Sequence, residues 1–153
     1  MLNVPDKPLK KCEIYLKDIH GQLFIATIKL DFLDWSEDGG RRTECRIILR
    51  WLDNEIDCVD WNWFESLKRV REHLAVQNLC LMCYGASRNI VVTGMLINMG
   101  LGMKVYKGVQ LGEFPCLNQL VNLFGSGEDV EPISVEEQEK FQREWAASLR
   151  PTK

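Results

Sequence analysis

Between residues 23 and 32 the side chains alternate. Phe24, Ala26, Ile28, Leu30 and Phe32 fall on one side, and the other side passes from apolar Leu23 and Ile25 to polar Thr27, Lys29 and Asp31. Period-two alternation predicts a half-buried strand. Cys12, Ile14 and Leu16 mark a shorter strand ahead of it, with His20-Gly21 as the turn. Residues 43–52 repeat the pattern, with Cys45, Ile47, Leu49 and Trp51 set against Glu44, Arg46 and Arg50. The acidic, glycine-containing stretch 34–40 separates these two strands and is expected as a solvated loop. Together they predict an antiparallel meander with one buried face.

The period then lengthens. Trp63, Leu67, Val70 and Leu74 are spaced as the core-facing stripe of a helix over 62–77, with Asp60 as N-cap and Lys68, Arg69, Arg71 and Glu72 facing outwards. Short apolar runs at 79–84, 89–92 and 103–110 read as further strands. Pro115 opens a predicted helix with Leu117, Leu120, Val121 and Phe124 on one face, stopped by Gly125. After the acidic linker 125–132, Ser134 and Glu137 form a capping box for a last helix to about Leu149, with Phe141, Trp145 and Leu149 inward. The expected fold is α+β: a mostly antiparallel sheet of five to six strands with about three helices on one face, in one domain over 1–153.

Composition narrows the function more than the fold. The chain has 153 residues, 46% hydrophobic and 27% charged, which suits a single globular domain. Nineteen basic and 22 acidic residues give a net charge of −3, which argues against phosphate-neutralising nucleic-acid binding. Residues 1–11 contain two prolines and no apolar core of a leader peptide, and no run of 18 apolar residues suggests a membrane span. A cytoplasmic location is therefore expected, with the six cysteines as free thiols.

Cys80 and Cys83 form a C-x-x-C, but in an apolar run and with no second ligand pair nearby, so neither a redox centre nor a zinc site is expected. Ser87 lacks a G-x-S-x-G setting and a neighbouring base; no catalytic residue, metal or cofactor is assigned. Two other groupings are candidates. Asp34, Trp35, Glu37 and Asp38, with Asp53, Glu55 and Asp57, interleave carboxylates and tryptophan in the manner of a docking face for a basic protein. Tyr84, Ser87, Arg88, Asn89, Lys104 and Tyr106, among clustered glycines, offer polar turns that could converge on a small anion in a ligand-binding or catalytic domain.

The stretch 83–89 (Cys-Tyr-Gly-Ala-Ser-Arg-Asn), Thr93-Gly94-Met95 and 98–106 (Asn-Met-Gly-Leu-Gly-Met-Lys-Val-Tyr) resembles small uncharacterised bacterial proteins. Their shared core is G-A-x-x-N-V, S-G-M and M-G-x-G-x-K-A-Y. The likeness spans about the C-terminal half and brings no catalytic residues. Such proteins are associated with toxin–immunity loci. The resemblance therefore implies a protein that neutralises a toxin by binding it, with a basic toxin domain as partner and neither nucleic acid nor membrane involved.

Overall fold

A computed structural model of the chain describes residues 2–3 and 10–150; the absence of a leader was read largely from residues outside these. Over the described residues the chain is α+β, with three α-helices, a six-stranded antiparallel sheet and a separate two-stranded one. Its contacts gather into two compact units, Met1–Leu81 and Met82–Lys153.

The first unit holds the large sheet. Its strands are β1 (Leu2–Asn3), β2 (Lys10–Lys17), β3 (Leu23–Glu37), β4 (Gly40–Trp51), β5 (Asn54–Asp60) and β6 (Cys80–Leu81). They run in the order β5-β4-β3-β2-β6, with β1 beside the far end of β3. The alternation read at 23–32 and 43–52 holds: Ala26, Ile28, Leu30, Cys45, Ile47, Leu49 and Trp51 are buried on one face. Helix α1 (Trp63–Val76) covers that face with the predicted stripe, and Ser66 Oγ donates to the Cys45 carbonyl at 2.6 Å.

Four expectations for this unit are corrected. The stretch 34–40 is no loop: β3 runs on to Glu37, and a two-residue turn, Asp38-Gly39, leads into β4. Both turn residues have positive φ, 49° and 77°, as a type I′ hairpin requires. The acidic segment after Leu52 is strand β5, with Ile56 and Cys58 inward and Glu55, Asp57 and Val59 outward. At the start of α1 the capping oxygen is Asn62 Oδ1, which accepts from the Glu65 N–H at 2.8 Å, while Asp60 is engaged by Arg69. Arg71, expected on the solvent side, is buried.

The second unit is built around residues 84–91: of the strand expected at 79–84 only Cys80–Leu81 is paired, Tyr84–Ala86 is a 3₁₀ turn, and the strand expected at 89–92 is reduced to a single bridge of Val91 with Tyr106. Tyr84 and Gly85 donate backbone hydrogen bonds to Gly125 and Leu123, Arg88 donates to Glu131, and Val91 exchanges two with Tyr106. Helix α2 (Gly94–Gly100), capped by Thr93, was not expected; β7 (Lys104–Tyr106) follows. The predicted helix at 115–124 is a 3₁₀ turn, Leu117–Gln119, leading into β8 (Leu120–Asn122). Pairing of Val121 with Val105 overrides the helical spacing. Helix α3 (Val135–Ser148) starts at the predicted Ser134 cap. Trp145 packs with Val91 and Val109, joined by Phe141, whereas Leu149 lies past the helix end and is partly exposed.

No helix among the described residues is long and apolar enough to cross a membrane. The dependence of the first unit on α1 gives a stability test. Leu67→Ala, at a fully buried contact, is expected to cost about 2–5 kcal/mol in denaturant unfolding. Glu72→Ala, on the exposed side of the same helix, should stay within about 0.5 kcal/mol.

Candidate functional site

Among the described residues, the sheet face opposite α1 carries many exposed side chains. Read across the strands, it begins with Tyr15 beside Ile25, both half exposed, and Leu23 beside Lys17. Next come Glu13–Thr27–Arg50–Glu55, then Lys11–Lys29–Ile48–Asp57, then Asp31–Arg46–Val59. The register continued past Thr27–Arg50 brings the turn residue Leu52 level with Ile25. Leu52 is 88% exposed and has φ +49°, a left-handed conformation that leucine adopts only under strain. Tyr15, Leu23, Ile25 and Leu52 thus make an apolar row at one end of a charged face, with Ile19 exposed in the turn between β2 and β3.

The predicted acidic docking residues divide between the two ends of β4. Asp34, Trp35, Glu37 and Asp38 lie at the β3–β4 hairpin, and Asp53, Glu55 and Asp57 at the β4–β5 hairpin. At about 3.3 Å per residue these ends are roughly 35 Å apart. Most of the carboxylates are engaged. Asp34 takes a bidentate pair from Arg41 at 2.9 and 2.6 Å, and Asp57 one from Arg46 at 2.7 and 2.6 Å. Hydrogen bonds from these guanidinium groups hold both carboxyls below the usual carboxylate range. Glu55 pairs with Arg50, and Glu37 accepts from Trp35 Nε1 at 3.3 Å. Asp38 and Asp53 occupy the two tight turns. Only the second group therefore adjoins the apolar row.

In the second unit, Tyr84, Ser87, Arg88 and Asn89 come together in a cleft of about 210 Å³. Lys104 and Tyr106 are not part of it: Lys104 is exposed on β7, and Tyr106 meets Phe114 edge-on at 6.5 Å. The residues missed from the sequence are Lys107, Asp129 and Glu131. Tyr84 Oη donates to Asp129 at 2.6 Å, Lys107 Nζ reaches the other Asp129 oxygen at 2.8 Å, and Arg88 pairs with Glu131 at 3.2 Å. Ser87 Oγ accepts from the Glu131 N–H, and Asn89 holds the Val109 carbonyl. Both cations thus already hold carboxylates of the chain's own 129–131 segment, so the cleft offers a simple anion no excess positive charge.

Three of the six cysteines are held as thiols by burial. Burial, helped by the Asp60 charge, pushes the Cys45 thiol up to about 12, and burial raises Cys58 and Cys80 as well. Among the described residues no group of three or more His, Cys, Asp or Glu side chains is placed to hold a metal ion.

The hydrogen bond to Asp129 keeps Tyr84 protonated to higher pH than a free phenol, and that bond needs Gly127, where a Cβ would stand 2.2 Å from Tyr84 Oη. Because the folded-state pKa is raised, this contribution to stability is complete below the ordinary tyrosine range and is lost as pH rises through the folded value. Phenolate titration followed by ultraviolet absorbance should find one late-ionising tyrosine in the native chain. In Gly127→Ala it should ionise at lower pH; an unchanged titration would show that Tyr84 does not depend on this contact. No protein-family model matches the chain, and no curated protein matches it either.

Proposed function

We propose that the chain is a non-catalytic protein-binding domain that docks through the face of its six-stranded sheet opposite α1. The observation that carries this reading is Leu52, a large apolar side chain held at strained φ and almost wholly in solvent. It adds little to the core, and left-handed backbone costs an L-residue about 1–2 kcal/mol. Strained residues of this kind gather where binding needs them. Around it, Tyr15, Leu23 and Ile25 supply apolar anchors, and Arg50, Glu55 and Lys17 a charged rim, the anatomy of a protein interface.

Lysines lie on β2 and carboxylates on β5; the latter are paired with Arg46, Arg50 and Arg69, and their remaining lone pairs are what a basic surface would meet. A basic toxin domain, neutralised by direct binding in the cytoplasm, is the partner that the likeness in wording implies, which makes the chain an immunity protein. The alternative of a small-anion site at Tyr84–Lys107 has less support, because its cations are already paired.

The immobilised chain is expected to retain one stoichiometric protein from a lysate of the source organism at moderate salt. Leu52→Asn should raise the melting temperature, since asparagine tolerates positive φ, yet lose the partner; Ile25→Lys should lose it as well. A retained protein indifferent to both variants, or no retained protein at all, would refute docking through this face.

A further inference from the structure

β5 ends the sheet: β4 pairs with one side of it, and among the described residues no strand pairs with the other. The two-residue turn Leu52-Asp53 makes Trp51 and Asn54 a hydrogen-bonded pair, and hydrogen-bonded and open pairs alternate from there. Glu55, Asp57 and Val59 fall at the open positions. Their backbone N–H and C=O groups therefore point away from β4, and all three residues are exposed.

Edge strands are usually blunted by lysine, proline or a bulge, yet Asn-Glu-Ile-Asp-Cys-Val-Asp has no lysine or proline and pairs with β4 without a break. Beside this edge lies a groove of about 410 Å³ bordered by Arg69, Glu72 and His73 of α1. Hydrogen-bonding groups in a row next to a groove fit an extended chain, which satisfies the backbone and places alternate side chains in the groove.

The charge selects the occupant. β5 carries three carboxylates and no base; Arg69 of α1 engages the third, Asp60, and Glu72 adds a further carboxylate at the groove. Arg46 and Arg50 reach Asp57 and Glu55 from the β4 side, and a carboxylate with about four lone-pair sites can accept a second cation from the other. We infer that β5 is a strand-addition site: an extended basic segment of the protein partner pairs along residues 55–59. Its lysine or arginine side chains lie beside Glu55 and Asp57, and the intervening residues enter the groove against α1. This rests on the reading of the chain as a protein-binding domain and supplies the mode of binding.

The first test needs no identified partner. A blocked heptapeptide alternating lysine and valine serves as probe, and amide hydrogen exchange is followed residue by residue by NMR. In the free chain the amides of Glu55, Asp57 and Val59 should exchange fast, and saturating probe should slow them by about tenfold or more. A glutamate–valine peptide should leave them unprotected. Slow exchange in the free chain, no binding at millimolar probe, or binding without protection of these amides would each overturn the assignment.

The second test uses any retained partner and Val59→Pro, which removes one outward N–H and leaves the β4 ladder intact. Affinity is expected to fall by about tenfold or more. Loss of the partner by Leu52→Asn with full retention by Val59→Pro would leave face docking standing and overturn strand addition. The reverse pattern would support strand addition and overturn docking through the apolar row.

Discussion

A sheet has two faces, and in the first unit the chain provides one helix to cover them. That constraint governs the residues on both sides. The covered face is apolar where the inward side chains of β2 to β5 lie under Leu67, Val70 and Leu74, and the buried Ser66 hydroxyl on α1 is satisfied by the Cys45 carbonyl. The opposite face must be stable in water. It meets that demand with cross-strand pairs of opposite charge, each worth little in solvent but together keeping the strands in register. The departures from this scheme are Tyr15, Leu23, Ile25 and Leu52 at one end of the face and Ile48 and Val59 among the charged rows.

The second unit is held differently. Its organising segment, 84–91, makes backbone hydrogen bonds to 123–131 on one side and 106–109 on the other. Much of the wording of its stretch Gly-Ala-Ser-Arg-Asn has a structural use. Ser87 caps the Glu131 N–H, Asn89 takes φ +60° and ties down Val109, and Gly125 and Gly127 crowd the ring of Tyr84.

Where a side chain repeats with a clean period, the sequence was legible. β3, β4, α1 and α3 followed from spacing, and the change of Leu23 and Ile25 from core-like to exposed positions already showed on the outer side of β3. β5 was obscured because its carboxylates drew attention away from the alternation of Ile56 and Cys58. Asp38-Gly39 carried the strongest short-range hairpin signal in the chain, hidden in an acidic run. In the second unit, spacing gave way to pairing at Val121, and α2 was masked by glycines at both its ends. Four cleft residues came from one turn and could be read together; Lys107, Asp129 and Glu131 reach them through long-range contacts that no local pattern encodes. The strain at Leu52 is a backbone property invisible in composition.

Gln138 is the one polar side chain among the largest fully buried ones, and its amide nitrogen donates to the carbonyls of both Gly85 and Ser87. Its two N–H bonds meet two acceptors on and just after the 3₁₀ turn Tyr84–Ala86. Seating of α3 therefore rests on a match of hydrogen-bond polarity as well as of shape. Glutamate would fill the same space but, ionised, would present two acceptors to two acceptors. The position thus works as a checkpoint between helix and segment: size alone cannot satisfy it, and it distinguishes the native register of α3 from neighbouring ones that apolar packing would tolerate.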